Sequence, residues 1–226
     1  MTTEITAIVP IKQHSERLPG KNFREFNGRP LYHWILDTLE SVSVIDRIIV
    51  NTDADEIIND LPDQFDIEVS VRPDRLRDDD TTTNIIKYEI DRTDSDVYLH
   101  TYCTCPLLTA GTISDAISEF LESSEHDSLL PVTKHRKRFY DADFNPINHD
   151  PSDLSPTQDL SPIYEDNSVL FIYTEETFER ANHRIGTNPL PFEIDKREAI
   201  EIDYLSEFEL AENIHKSRSP SDGSGS

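Results

Sequence analysis

An α/β fold is predicted by this sequence, in three α/β/α layers around a mostly parallel sheet. Apolar runs of strand length alternate with stretches of helical period from residue 4 to about residue 133. Right-handed crossovers between parallel strands place helices on both sheet faces. The first apolar run, Ile5 to Ile11, stops abruptly at a polar loop holding Lys12, Arg17 and Lys21. Ligands of open α/β sheets lie just beyond the carboxyl ends of strands, where this loop falls.

The elements follow in order. A strand over 4–11 leads through the loop to a helix over 30–41 opened by Pro30, with Leu31, Trp34, Ile35, Thr38 and Leu39 at helical spacing. A buried strand over 47–51 ends in Thr52-Asp53, and a helix over 55–61 turns Ile57, Ile58 and Leu61 inward. A strand over 67–71 precedes Arg72-Pro73 and the acidic run Asp78-Asp79-Asp80. Thr82 or Thr83 caps the next helix, whose stripe is Ile85, Ile86 and Ile90. Strands are expected over 96–101 and 128–133, with a helix over 110–123 between them. After Thr133 the character changes: a basic run, Lys134 to Arg138, opens a Pro-, Asp- and Asn-rich stretch without helical period. A stretch of that length is functional or lies at an interface. It reads as a projecting arm over 134–167 with a hairpin near 137–147. Strands over 168–173, 191–194 and 199–203, and helices over 175–182 and 205–214, complete a single domain over 1–216, and a Ser/Gly-rich tail over 217–226 is expected to be disordered.

Composition narrows the partners. The chain has 226 residues, enough for one domain with a full core. It is 35% hydrophobic with no apolar run near membrane-spanning length, and its start, Met-Thr-Thr-Glu, lacks a signal-like segment. The expectation is a cytoplasmic protein without a membrane partner, its two cysteines, Cys103 and Cys105, reduced. With 45 acidic and 21 basic residues the net charge is -24, which excludes nucleic acid and anionic membranes as partners. The acidic residues are spread along the whole chain, the pattern of adaptation to high salt, where a Debye length of about 3 Å at 1 M mutes self-repulsion.

In so acidic a chain, three cations in one loop point to an anionic ligand. Pro19-Gly20 sets a turn that presents Arg17 and Lys21 together as exposed groups. The loop is not a P-loop, since Ser15 and Asn22 stand where that motif needs Gly and Ser or Thr, and no G-x-G-x-x-G is present. Near the end of the chain, Glu201 and Asp203 lie two apart on the expected strand, so both face one way, as oxygen ligands suited to Mg²⁺. His33, His100 and His149 are read as structural residues. Two other readings stay open: a nucleotide-sugar glycosyltransferase using Asp94-Ser95-Asp96, and a non-catalytic nucleotide-binding scaffold.

The loop resembles the signature of the cytidylyltransferases that activate sugar acids, the sialic acid and Kdo synthetases, P-A-R-x-x-S-K-R-hydrophobic-P-G-K-N. Pro10, Ser15, Arg17, Pro19, Gly20, Lys21 and Asn22 match, Lys12 stands where Arg is usual, and Gln13 and His14 depart. Asn51-Thr52-Asp53 is similar to the family's second-strand end, and Arg72-Pro73 with Leu76 to its nucleotide loop. Thr104 and Pro106-Leu107 resemble T-S-P-L, with Cys105 for Ser and Tyr102 for a common Gln. Asn148-His149, Thr157 to Leu160 and Glu165-x-Asn167-Ser168 resemble the acylneuraminate subgroup, and residues 199–203 the family's I-D-I-D, with Glu201 for the first Asp.

The resemblance implies a Rossmann-like nucleotidyltransferase fold, and an enzyme joining CTP to a sialic-acid-like sugar acid with Mg²⁺. In it Arg17, Lys21 and Asp203 are catalytic, and Lys12, Asn22, Arg72 and Thr83 bind nucleotide. Arg136, Arg138, Arg197 and Gln158 take the sugar acid, whose carboxylate calls for a cation. Asp203 and Glu201 hold the metal, and two subunits pair so that the arm of one closes the site of the other.

Overall fold

The computed structural model describes residues 3–77 and 81–218. Its elements are β1 (Ile5–Ile11), β2 (Glu25–Phe26), β3 (Arg29–Pro30), α1 (Leu31–Glu40), β4 (Arg47–Thr52), α2 (Asp55–Gln64), β5 (Glu68–Val71), α3 (Thr82–Ile90), β6 (Val97–Thr101), α4 (Ala110–Glu122), β7 (Ser128–His135), β8 (Ile163–Asp166), β9 (Leu170–Tyr173), α5 (Glu175–Ala181), β10 (Pro189–Glu193) and α6 (Leu205–Arg218). The main sheet runs β10-β7-β9-β6-β1-β4-β5, with β8 also paired to β7. β1 is parallel to β4 and β6, β4 to β5, and β7 to β10. β9 runs antiparallel between β6 and β7, and β8 is antiparallel to β7. The expected mostly parallel, three-layer α/β fold is what the chain adopts.

Burial along β1 shows why the sheet has two covered faces. Ile5, Ala7, Val9 and Ile11 enter one apolar cluster with Ile35, Leu36 and Leu39 of α1, Ile57 and Leu61 of α2, and Ile113, Ile117 and Phe120 of α4. Ile8 points the opposite way, into a cluster with Ile86 and Ile90 of α3 and Phe178 of α5. A third cluster joins Leu18 of the first loop, Phe26 of β2, Leu107, Ile202, and Phe208 and Ala211 of α6. That last cluster pins the C-terminal segment beside the carboxyl end of β1.

Several local expectations change. Asn27 and Gly28, both at positive φ (50° and 86°), form a two-residue turn joining β2 to β3. Asn-Gly is a strong hairpin signal that helical periodicity downstream had masked. The α3 cap is Thr81, whose side chain accepts from the Asn84 amide, rather than Thr82 or Thr83. The acidic run Asp78-Asp79-Asp80 lies outside the described residues, as do residues 219–226 of the expected tail, while Ser217 and Arg218 close α6. The arm is more ordered than its composition implies. It carries β8, a short helical turn at Thr157–Asp159, and the expected hairpin, where Ile147 N–H donates to Phe139 O and Asp141 N–H to Asn145 O, each at 2.9 Å.

The strand expected over 199–203 does not form. The segment crosses the carboxyl end of β6, already flanked by β1 and β9, so no sheet edge is open to it. A link from Ile202 N–H to Thr104 O, 2.9 Å, anchors it there.

Candidate active site

The loop after β1 is built by its turn. Lys21 N–H donates to Leu18 O at 3.0 Å across Pro19-Gly20, with Gly20 at φ 68°, the left-handed position that such a turn demands. Phe23 and Arg24 amides then donate back to Gly20 O at 3.1 and 3.0 Å and wind Lys21–Phe23 into one helical turn. Asn22 Nδ2 donates to Lys12 O at 2.8 Å, closing the loop on itself, and Gln13 N–H donates to Asp53 Oδ1 at 2.8 Å, tying it to the end of β4.

This geometry brings Arg17 and Lys21 together, onto Asp203. Arg17 Nη1 pairs with Asp203 Oδ2, and Lys21 Nζ lies 3.2 Å from Asp203 Oδ1 while donating to Ile202 O at 2.6 Å. The Lys21 side chain is only 10% exposed, against 56% for Arg17, so the expected exposed pair is one exposed and one buried cation. The reason is Ile202, fully buried in the third apolar cluster, which drags its own carbonyl over the loop. Alternation about Ile202 turns Glu201 and Asp203 into the same cleft, although the segment is not a strand.

The cleft, about 330 Å³, is lined by Lys12, Arg17, Lys21 and Asn22 from the loop, Arg72 and Leu76 after β5, Thr82 and Ile85 of α3, Tyr102 to Thr104 after β6, and Glu201 and Asp203. Arg72 is buried and aimed by its neighbours: its Nε donates to Asn51 Oδ1 at 2.7 Å and its Nη2 to Asn51 O at 3.2 Å. Asn51 Nδ2 in turn donates to Glu89, a buried carboxylate that also accepts from Ser70 Oγ at 2.6 Å. Burial, then the neighbouring Asp203, raises the Glu201 pKa above the ordinary glutamate value. Among the described residues no cation lies within ion-pair distance of Glu201, and Thr104 Oγ1 reaches it only at 3.4 Å. Glu201, half-buried and without an ion-pair partner among the described residues, stands beside Asp203, which Arg17 and Lys21 hold; the two carboxylates are oxygen donors of the kind a hard divalent cation takes, with phosphates and waters completing the shell.

Other expected site residues lie elsewhere. Thr83 does not line the cleft; its neighbour Thr82 does, one step along the same helix. Arg136 donates to Gln158 O at 2.6 Å and Arg138 to Ser155 O at 2.7 Å, both within the arm and exposed, so neither guanidinium nor Gln158 enters the cleft of its own chain. Arg197 pairs with Asp195 at 3.1 Å in a separate depression shared with Lys134. Of the residues that sequence reading did not assign, Tyr102, Cys103 and Thr104 reach the cleft because β6 ends beside β1. Cys103, its thiol pushed up to about 12 by burial, donates to Asn22 Oδ1 at 3.4 Å and serves as packing.

The cytidylyltransferase family model matches residues 6–218. This chain belongs to the cytidylyltransferase family. It is 23% identical over 234 residues to an N-acylneuraminate cytidylyltransferase of Escherichia coli O18:K1:H7, a match covering 96% of this chain and 54% of that protein. The chain therefore spans about half the length of that relative. It is 23% identical over 221 residues to a pseudaminic acid cytidylyltransferase of Campylobacter jejuni, covering 92% of this chain and 95% of the other. Among solved structures, a CMP:2-keto-3-deoxy-manno-octonic acid synthetase complexed with CTP superposes with a TM-score of 0.69 at 11% identity, covering 95% of this chain and 99% of that one. The cytidylyltransferase fold is thus shared where little sequence is. No helix among the described residues is long and apolar enough to cross a membrane.

Proposed function

We propose that this cytidylyltransferase activates a nonulosonic, sialic-acid-like sugar acid, the acceptor hydroxyl attacking the α-phosphate of CTP and pyrophosphate leaving. The observation that carries it is the cleft at the carboxyl end of β1, where Lys12, Arg17, Lys21 and the buried, pre-aimed Arg72 converge opposite Glu201 and Asp203. Phosphoryl transfer asks a protein for alignment and charge neutralisation more than for covalent chemistry. Lys12, Arg17 and Lys21 span the phosphates. Arg72, after β5, and Asn22 of the β1 loop hold the nucleotide, with Thr82 in the place expected for Thr83. Glu201 and Asp203 are the residues that would hold Mg²⁺, which when bound neutralises phosphate charge. The acids for which the two relatives are named, N-acylneuraminate and pseudaminic acid, support a nonulosonic acceptor.

Arg136, Arg138 and Gln158 act in this reading from the arm of one subunit on the cleft of another, in a homodimer, and Arg197 shares a depression with Lys134 at the start of the arm. The arm exposes Phe144 (85%) and Leu154 (88%), apolar side chains that a second copy would cover. The glycosyltransferase alternative is disfavoured by position: Asp94-Ser95-Asp96 precedes β6, at the sheet end opposite the cleft, and Asp96 Oδ2 accepts from Glu4 N–H at 2.8 Å.

Incubation at high salt with Mg²⁺, each of the four nucleoside triphosphates and a panel of nonulosonic acids, following pyrophosphate, tests the proposal. CTP with one acid should dominate. Equal release from UTP or GTP with the same acceptor overturns it.

A further inference from the structure

Glu89 of α3 is 2% exposed, and among the described residues no cation lies within ion-pair distance of it. A carboxylate in that position is costly unless hydrogen bonds hold it. Two do, and both end on the same oxygen: Asn51 Nδ2 and Ser70 Oγ, the latter at 2.6 Å, donate to Glu89 Oε1. Asn51 and Ser70 face each other in register across β4 and β5, so Glu89 caps a cross-strand pair. It does not line the cleft, although Thr82 and Ile85 of the same helix do.

The two ends of an amide have one shape and opposite hydrogen-bonding character, so its neighbours decide which way it lies. Glu89 Oε1 takes the donor end of Asn51 and leaves Oδ1 to accept from Arg72 Nε at 2.7 Å. Two further acceptors of Arg72, Asn51 O at 3.2 Å and Ile11 O at 3.5 Å, are main-chain atoms fixed by the sheet. Of these three acceptors only the amide oxygen can be turned away. Reversed, the amide would set Nδ2 against Arg72 Nε–H, donor on donor, where Arg72 is 3% exposed and water brings no relief. Glu89 excludes that arrangement.

We infer that Glu89 is a positioning residue for the nucleotide: by holding the Asn51 amide in one orientation it sets the direction in which Arg72 meets CTP, without touching substrate itself. The inference rests on the assignment of Arg72 to the nucleotide made above, and adds the residue two links behind it.

The test measures KM for CTP and for the acceptor, each at saturating co-substrate. The proteins are wild type, Arg72→Ala, Glu89→Gln, Glu89→Leu, Asn51→Ala and the double variant Glu89→Leu/Asn51→Ala, with circular dichroism as the check on folding. Glu89→Leu removes the acceptor and should raise CTP KM about tenfold, as for one lost hydrogen bond on a charged group, while acceptor KM stays within about twofold. Glu89→Gln can offer an oxygen in the same place, and its own reversal would force the donor clash at Arg72. It should stay within about threefold of wild type, a rescue that a role as countercharge would not give. Because the effect passes through Asn51, the double variant should be no worse than Asn51→Ala alone. Where Glu89→Leu does not fold, Asn51→Ala decides, and CTP KM must rise with acceptor KM unmoved. If Arg72→Ala raises CTP KM but the folded relay variants do not, or the two substitutions simply add, or both KM values rise together, the inference is overturned while the nucleotide role of Arg72 stands. Arg72→Ala with CTP KM unchanged removes that role and the inference with it. A wild type releasing no pyrophosphate from CTP with any acid overturns the proposed function as well.

Discussion

In the proposed reaction Lys21 would combine two roles that usually exclude each other, a phosphate-facing cation and the buried structural donor it is in the fold. Its ammonium donates to Ile202 O at 2.6 Å and pairs with Asp203, so Lys21→Ala should lower stability by about 1–3 kcal/mol besides cutting turnover by two orders of magnitude or more. Arg17, whose side chain is more than half exposed, should lose turnover on mutation to Ala with less than about 1 kcal/mol of stability. Urea unfolding and pyrophosphate release on both variants check the pair; Lys21→Ala activity within about threefold of wild type would remove Lys21 from the phosphate site. Glu201 carries a pH signature. Its folded-state pKa is raised by burial and by Asp203, so the folded protein retains a proton that the unfolded chain has already released, and stability falls as pH climbs through that window. Glu201→Gln removes the penalty. In magnesium-free buffer its melting temperature should exceed wild type at about pH 7, with the gap closing toward about pH 4. A gap that is the same at both ends of the titration would show that Glu201 is ionised without cost.

Secondary-structure elements place these side chains through contacts remote in sequence. The β2–β3 hairpin buries Phe26 against Phe208 of α6, ring centroids 5.4 Å apart, and so holds α6 and the segment before it against the loop. The segment 200–203 keeps its alternation without any sheet partner, because Ile202 is fully buried and its amide is taken by Thr104. The arm is ordered by β8 pairing with β7, yet leaves Phe144 and Leu154 in solvent. If a second copy covers them, Phe144→Asp with Leu154→Asp should halve the mass measured by light scattering and reduce activity, with circular dichroism unchanged. A wild type that is already monomeric at assay concentrations refutes the arm as a dimer interface.

For the molecule as a whole, the acidic charge is a load that folding must tolerate. At a net charge of -24, with acidic residues throughout, self-repulsion opposes the compact state at low ionic strength. Melting temperature and turnover should both rise as KCl increases into the molar range, where the Debye length contracts to about 3 Å. A melting temperature flat from low to molar KCl would leave the acidic surface without a salt-linked role.

The sequence by itself determined the α/β alternation, the helical stripes and the cationic loop, because these are written in contiguous residues: apolar period, a Pro-Gly turn, and cations spaced by that turn. It also placed Asp203 and Glu201 on one side of the chain, for alternation needs only extended backbone. What it could not carry was anything decided by pairing across the fold. The antiparallel β9 sets Phe171 beside His100 and so brings Arg184 under Tyr102, a juxtaposition spanning more than 80 positions of chain. The burial of Lys21, the lack of a strand at 199–203 and the separation of Arg136, Arg138 and Arg197 from the cleft have the same origin. Each depends on which sheet edges remain open and which side chains the third apolar cluster draws inward, and those are properties of the assembled core, absent from any local stretch of sequence.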